Sequence, residues 1–377
     1  MPRLFYVLTE DWFFHSHFLE RAIAASRNGY EVTVVAREGM HAEIIRKAGL
    51  RFLPFEFRRR GLNPLVELWT TLALSRLYRR ERPDIVHHVA LKPILYGTIA
   101  ALLTGCKHIV NAPVGMGFLF TSRSLLAKAL RPVVGFAMKR LLNPRGSFVI
   151  FENKDDMADA VNLGMVSKLG AVLIRGAGID VKKYPRVPEP PAPIIVSLAA
   201  RMLWDKGIRE YVEASELLRR RGIDICFQLI GAPDDGNPAS IPSRQLEQWH
   251  AAGLVRWLGQ RQDVMSLLAA SHIACLPSYR EGLPKFLLEA LAVGRPVIAT
   301  DVPGCREAVR HGENGLLVPA ANPHALADAI AKLAADKALR MQFADASRAR
   351  AEKEFSSAQV IAATVRVYER FTIEASH

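Results

Sequence analysis

Ile273-Ala274-Cys275-Leu276-Pro277-Ser278-Tyr279-Arg280-Glu281-Gly282-Leu283-Pro284-Lys285-Phe286-Leu287-Leu288-Glu289-Ala290-Leu291 reads as a buried strand, Ile273–Leu276, then a short loop, then a helix. Pro284 suits the first helical position, where the N–H that proline lacks has no intrahelical partner. The amides of Gly282, Leu283 and Lys285 are then expected to point out of the helix N-terminus, a ready seat for a diphosphate. Glu281 stands just before the helix and Glu289 inside it. Two carboxylates beside a phosphate cradle repel it unless they meet hydroxyl donors, and the ribose and hexose of a nucleotide sugar supply these. Spacing alone also admits a plainer reading, one exposed glutamate flanking a helix and another on its polar face.

The same strand–loop–helix alternation runs outward in both directions, the pattern of parallel sheets covered by helices. Upstream, strands are expected at Leu4–Thr9, Glu31–Ala36, Arg51–Phe57, Asp84–Val89, His108–Val114, Phe148–Glu152 and Val172–Ile174. Tyr184-Pro185-Arg186-Val187-Pro188-Glu189-Pro190-Pro191-Ala192-Pro193 then holds five prolines in ten residues. Such a stretch pairs into neither a helix nor a central strand and reads as a linker. Beyond it, strands are expected at Ile194–Leu198, Cys226–Ile230, Val255–Leu258, Ile273–Leu276, Pro296–Thr300 and Leu316–Val318. The fold class is α/β: two Rossmann-like, doubly wound parallel-sheet domains. Ligand is expected at the carboxyl ends of the strands, in a central cleft between the halves. The expected division is an N-terminal domain over 1–182, a Pro-rich linker over 183–193, a C-terminal domain over 194–355, and a helix over 356–377 for which the N-terminal domain is a candidate packing partner.

At about 150 residues per domain, 377 residues suit two or three domains. Half of them are apolar and 23% are charged, a balance that excludes a mainly disordered chain. The formal charge of +13 is unevenly placed, with 26 basic and 15 acidic side chains in residues 1–182 against 24 and 22 in residues 183–377. An anionic partner is therefore expected on the first half. Cys106, Cys226, Cys275 and Cys305 lie far apart with no CxxC pair, so buried thiols are expected rather than a zinc site or a disulfide framework. Asp234-Asp235-Gly236 reads as a turn between Pro233 and Pro238 rather than as a metal site. The N-terminus shows no apolar stretch of signal-peptide length, and no segment reaches the ~18 continuous apolar residues of a membrane span. No membrane crossing is expected.

The Glu281–Glu289 stretch is followed by Gly294-Arg295-Pro296-Val297-Ile298-Ala299-Thr300-Asp301-Val302-Pro303-Gly304 and by Glu313-Asn314-Gly315-Leu316-Leu317-Val318. Together they resemble the donor-binding half of family 4 retaining glycosyltransferases, which have the GT-B fold. The likeness takes in Arg201-Met202-Leu203-Trp204-Asp205-Lys206-Gly207 and covers essentially the whole chain, more strongly after Pro193. It implies that Arg201 and Lys206 pin the nucleotide diphosphate. Chemistry agrees, because a departing diphosphate gains negative charge and fixed cations hold it harder as it does so. The resemblance also puts Glu289 on the ribose hydroxyls. Glu281 falls near the donor hexose, in a positioning role rather than as a covalent nucleophile. No metal or other cofactor is expected, the two cations standing in for a divalent ion.

In the first half, Pro83-Asp84-Ile85-Val86-His87-His88 ends a strand and leads to Lys92-Pro93-Ile94-Leu95-Tyr96-Gly97. The family keeps a histidine on the loop leaving this strand. His87 aligns by its spacing from Asp84, while the further histidine of many relatives is Val89 here, so His87 and His88 are both catalytic candidates. A strand-end histidine is also readable as structural, and Lys92 as either a phosphate contact or a solvated lysine. The first loop, Glu10-Asp11-Trp12-Phe13-Phe14-His15-Ser16-His17, lacks the Gly-Gly pair of many relatives. Acceptor or phosphate contacts are therefore sought at His17, Lys92, Gly115 and Gly117, the last two within Pro113-Val114-Gly115-Met116-Gly117-Phe118. This glycine loop, His87 and Lys92-Pro93 resemble the branch that extends polyprenyl-diphosphate-linked sugars in bacteria.

Residues 85–151 contain no Asp or Glu but eight basic residues. On a helix expected over about Ser122–Leu141, Lys128, Arg131 and Lys139 share a face opposite Leu126, Leu130 and Val133. Arg58-Arg59-Arg60 and Arg79-Arg80 add to the basic surface. At ~1 kcal/mol per basic side chain near an anionic leaflet, a few such residues hold a protein reversibly on a membrane surface. The alternative is a solvated helix face. The activity expected is transfer of a hexose or N-acetylhexosamine from a nucleotide sugar, UDP by family frequency, to a lipid-linked saccharide with retention, in bacterial surface-polysaccharide or glycan biosynthesis. The enzyme would be cytoplasmic and peripheral on the inner face of the membrane. Two readings compete: a basic nucleic-acid-binding α/β protein, for which no RNP-like, KH or helix-turn-helix pattern speaks, and a GT-B phosphorylase or epimerase.

Overall fold

Continuous apolar runs buried on both sides are what parallel strands between two helical layers require, and β1 (Arg3–Glu10) meets that description, with Leu4 to Val7 fully out of solvent. The computed structural model describes residues 1–57, 64–114, 135–234 and 236–374. Among them, β1 lies in a seven-stranded sheet with β2 (Glu31–Arg37), β3 (Arg51–Pro54), β4 (Ile85–Val89), β5 (His108–Ala112), β6 (Phe148–Phe151) and β7 (Ala171–Leu173), in the order β3-β2-β1-β4-β5-β6-β7. A six-stranded sheet follows, β10-β9-β8-β11-β12-β13, built from β8 (Ile195–Ala199), β9 (Cys226–Ile230), β10 (Arg256–Trp257), β11 (Ile273–Leu276), β12 (Val297–Thr300) and β13 (Gly315–Val318). Every pairing in both sheets is parallel. Each expected strand is present. β3 stops at Pro54 rather than Phe57, on the sheet edge where a proline ends pairing at little cost.

In each sheet the strand order reverses once, between β1 and β4 in the first and between β8 and β11 in the second. At such a switch point the loops leaving two adjacent strands diverge, and the opening they leave is where open α/β sheets take ligands.

The chain divides into two units, Met1–Ala177 with Ala358–His377, and Gly178–Ser357. This moves the boundary expected at 182–183. The Pro-rich stretch over 183–193 is not a free linker but a strap on the second unit. Tyr184 and Val187 pack on that unit's core. Arg295 donates to the carbonyls of Val187 and Pro188, each at 3.0 Å, and the buried Arg340 pairs with Glu189 at 2.7 Å. Prolines leave carbonyls without a ladder, and the arginines supply the missing donors. The last helix, Ser357–Glu374, packs in the first unit, where Val360, Val367, Tyr368 and Phe371 are buried with Leu4, Tyr6 and Val32.

Candidate active site

The second unit's site forms where the loops after β8, β9, β11 and β12 meet. The 3-10 turn Trp204–Lys206 follows β8, and Gly207 closes it at φ +70°. A Cβ there would lie 2.0 Å from the Pro277 carbonyl oxygen, so only glycine lets this turn lie against the loop leaving β11. That loop is fixed from several sides. The Tyr279 amide donates to Asp205 O at 2.9 Å, the Tyr279 hydroxyl to Glu210 Oε1 at 2.6 Å, and Thr300 Oγ1 to Ser278 O.

This scaffold brings Lys206 Nζ to 2.6 Å from Glu281 Oε1, both side chains mostly buried. The pair spans the switch point between β8 and β11 and stands immediately before the helix Lys285–Val293. Pro284 is the N-cap of that helix rather than its first residue, with φ −71° and ψ 120°. Its carbonyl accepts the Leu287 amide at 3.0 Å. A proline offers no side-chain cap, so the positive end of the helix dipole, at Gly282 to Lys285, has no side-chain hydrogen bond from its N-cap residue. Leu283 is buried in the core and can offer a ligand only its backbone. Ser278 Oγ is buried and has no hydrogen-bond partner among the described residues. Arg201, exposed on the loop after β8, donates to Asp234 Oδ2 at 2.7 Å. Asp234 sits in the expected turn, with its carbonyl accepting the Asn237 amide; Asp235 lies outside the described residues.

Glu289 is held differently from Glu281. Its Oε1 accepts from the Tyr184 hydroxyl at 3.0 Å and lies 3.8 Å from Lys285 Nζ. Burial raises its pKa, and Lys285 and the Tyr184 hydrogen bond counter that only in part. Such a carboxyl binds its proton more tightly folded than unfolded. The folded state therefore gains at acid pH, and loses that advantage as pH rises from the ordinary glutamate range through the raised value. Glu289→Gln keeps the shape and an acceptor for Tyr184 without the charge. We expect it to melt a few degrees above the parent at pH 8 and no higher at pH 4; an equal difference at both pH values in thermal melts would show that burial of this charge is not the cause.

Tyr184 was hidden within the Pro-rich stretch. A lone aromatic among prolines is the only local sign that the stretch packs on something. Asp234 carried no local sign of its arginine partner.

The first unit corrects the histidine assignment. His87 and His88 lie in the middle of β4, not on the loop after it, and both rings are fully buried. Period-2 alternation sends them to opposite faces of a sheet covered on both sides. His87 Nδ1 hydrogen-bonds the Tyr368 hydroxyl at 2.8 Å, and Tyr368 in turn meets Tyr6 at 2.6 Å. His88 hydrogen-bonds Tyr78 at 3.0 Å through Nε2 and Asn111 at 2.9 Å through Nδ1. Burial pushes both pKa values down, that of His88 to about 4, so these are neutral core histidines.

The loop after β4 instead carries Ala90, whose φ of +75° is a strained conformation for a residue with a Cβ. Lys92 follows, with Nζ 2.8 Å from Glu67 Oε1. The expected first loop is the helix Asp11–His17. Asp11, at its start, accepts the amides of Gly39, His41 and Ala42 at 2.8, 2.9 and 3.0 Å and ties the loops after β1 and β2 together. His17 stacks on Phe13, centroids 4.3 Å apart. Gly115 and Gly117 lie outside the described residues, as does most of the basic helix expected over 122–141; its described part, 135–141, is helical.

Residues 193–336 match the family described as glycosyl transferases group 1, and residues 3–151 the family described as glycosyl transferase 4-like. The chain is 29% identical over 330 residues to the N,N'-diacetylbacillosaminyl-diphospho-undecaprenol alpha-1,3-N-acetylgalactosaminyltransferase of Campylobacter jejuni, covering 83% of this chain and 84% of that one. It is 22% identical over 295 residues to the UDP-Gal:alpha-D-GlcNAc-diphosphoundecaprenol alpha-1,3-galactosyltransferase of Escherichia coli, 75% of this chain and 74% of that one. Among solved structures, HepE of Anabaena in complex with UDP and glucose superposes with a TM-score of 0.77 at 17% identity, over 99% of this chain and 100% of that chain. Sucrose-phosphate synthase of Thermosynechococcus elongatus gives 0.79 at 17% identity over the same shares. With the two matched regions together spanning most of its length, one in each unit, the chain belongs to the family 4-type glycosyltransferases of the GT-B fold.

Proposed function

We propose that this glycosyltransferase moves a hexose or N-acetylhexosamine from a UDP-sugar to a lipid-linked saccharide with retention of anomeric configuration. The donor binds the second unit and the acceptor binds the first. The observation that carries the reading is the Lys206–Glu281 pair, set at a strand-order switch point against the positive end of a helix. A diphosphate placed there meets Lys206, Arg201 and the helix dipole, which stabilise the charge that grows as the bond from the anomeric carbon to the diphosphate oxygen breaks. The acceptor oxygen forms the new bond to that carbon, and its proton leaves on the departing diphosphate. These cations do the work of a divalent metal. Glu281, already engaged by Lys206, is a positioning carboxylate, and Glu289 takes the ribose hydroxyls by exchanging its Tyr184 hydrogen bond for them. Relatives whose names specify diphospho-undecaprenol acceptors support the acceptor class, and a neighbour holding UDP supports the donor. A lipid tail on the acceptor confines the work to a membrane surface, the cytoplasmic face being where nucleotide sugars are found.

A panel of nucleotide sugars tests this by thermal stabilisation. A true donor at one hundred times its Kd should add about 2.7 kcal/mol, several degrees of melting temperature. A UDP-sugar is expected to give that shift and to be consumed with a polyprenyl-diphosphate-linked saccharide, yielding a product of unchanged anomeric configuration. No shift with any nucleotide sugar, or an inverted product, overturns the reading.

A further inference from the structure

The helix Pro64–Glu81 buries the less apolar of its two faces. Its core side presents Thr71, Leu74, Ser75 and Tyr78, all buried. Three of these carry hydroxyls that find partners: Thr71 bonds Glu67 O at 3.0 Å, Ser75 bonds Thr71 O at 2.9 Å, and Tyr78 bonds His88. The opposite stripe carries Leu65, Leu68, Trp69 and Leu72, exposed by 68%, 56%, 62% and 37%. Their spacing of three, one and three residues puts them on one helical face. At 100° per residue the same face continues through Arg76, Arg79 and Arg80, all exposed. The Arg76 guanidinium lies over the Trp69 ring, 5.8 Å from its centroid. A second exposed pair of this kind, Arg140 over Phe136 at 5.3 Å, is carried by the same unit, on a helical segment whose Met138 shares a buried cluster with Ile94 of the helix Leu91–Thr104.

Four large apolar side chains on a water-facing helix are a liability unless something covers them. The arginines that continue the stripe say what does. Buried in a protein core, the Arg76 and Arg79 guanidinium groups would each need a counter-charge, which an anionic surface supplies, whereas Arg80 already pairs with Glu81 at 2.9 Å. An anionic bilayer accepts both halves of the stripe at once, leucines and tryptophan at the acyl boundary and arginines among the phosphates. We infer that the Pro64–Glu81 helix is the membrane-docking element of this enzyme and lies flat on an anionic leaflet through Leu65, Leu68, Trp69, Leu72, Arg76 and Arg79. No described helix is long and apolar enough to cross a membrane, so docking here is interfacial. This extends the lipid-linked acceptor reading, but its test needs no acceptor, so the two can fail separately.

The full chain is to be sedimented with phosphatidylcholine vesicles, with and without phosphatidylglycerol. Binding is expected only with the anionic lipid and should weaken as salt rises. Leu68→Ser with Trp69→Ser should reduce vesicle affinity at least tenfold. Arg76→Gln with Arg79→Gln should reduce it by about 25-fold, at roughly fivefold for each arginine. All four positions are exposed and lie outside the donor site, so melting temperature and donor-induced stabilisation should match the parent and show that the variants are folded. Equal binding to neutral vesicles, no binding at all, or variants that bind as the parent does would overturn the inference. So would a lipid-free dimer that the Leu68 and Trp69 changes dissolve, because it would assign this face to a second copy of the chain.

Discussion

Replacing Lys206 by alanine is expected to lower glycosyl transfer by about 10²–10³-fold and, because it leaves the mostly buried Glu281 carboxylate without this partner, to lower the melting temperature by several degrees. Two losses combine. On the proposed mechanism the diphosphate loses a fixed cation just where its charge grows, and Glu281, whose Oε1 sits 2.6 Å from Lys206 Nζ, is left as a bare carboxylate facing the incoming phosphates. At an effective dielectric near 20, a charge pair 4 Å apart is worth about 4 kcal/mol, so neutralising or exposing one charge here outweighs any single hydrogen bond. Glu281→Gln separates the two contributions. It frees Lys206 for the diphosphate, so donor binding should hold or tighten while transfer falls, because the group that positions the sugar has lost its charge. Initial rates and donor-induced melting shifts for both variants provide the check. Transfer within threefold of the parent in both variants would show that this pair is not the donor grip.

The second large effect is expected at a residue that touches no substrate. Gly304 follows β12 with φ +80°, and a Cβ there would fall 2.3 Å from Gly282 O and 2.6 Å from Glu281 O. Both are backbone atoms, which cannot swing aside as a flexible side chain does. Gly304→Ala must therefore push the Glu281–Gly282 loop out of place or strain its own backbone. A loss of about 2–4 kcal/mol is expected, several degrees of melting temperature, together with at least a tenfold loss of transfer from misplacing the Glu281–Gly282 loop. Gly312 is the matched control: its φ is also +80°, but nothing lies within 4 Å of a Cβ built there. Gly312→Ala should lose only about 1 kcal/mol, from backbone conformation alone, and keep full activity. If the two alanine variants behave alike in melts and in transfer, close packing behind the loop contributes nothing to the site.

The parts of this protein that sequence reading found share a property: the evidence for each lies within a few consecutive residues. Apolar runs such as Leu4–Leu8 and Ile273–Leu276 announce buried strands. The order acid, glycine, proline and acid from Glu281 to Glu289 marks a strand–loop–helix, and Trp204-Asp205-Lys206-Gly207 marks a tight turn. The sealing of His87 and His88 is not legible locally, because burial of a strand residue depends on the elements that cover each face of the sheet. For His87 that cover includes Tyr368, 281 residues away in sequence. The docking of the Pro-rich stretch is hidden for a similar reason. Prolines report that a segment leaves the ladder, not whether arginines such as Arg295 and Arg340 elsewhere will capture its carbonyls and its glutamate.

Sequence by itself determined the two α/β halves, the strand–loop–helix that carries Glu281 and Glu289, and the basic bias of the first half, because periodicity, turn chemistry and charge are local or summed properties. Tertiary structure alone decided that Lys206 faces Glu281, that Tyr184 occupies Glu289, that two histidines are sealed in a core, and that a leucine–tryptophan–arginine stripe faces outward. Each of those outcomes rests on which distant segment arrives beside a side chain. Strand order and helix packing set that arrival, and local patterns leave it open.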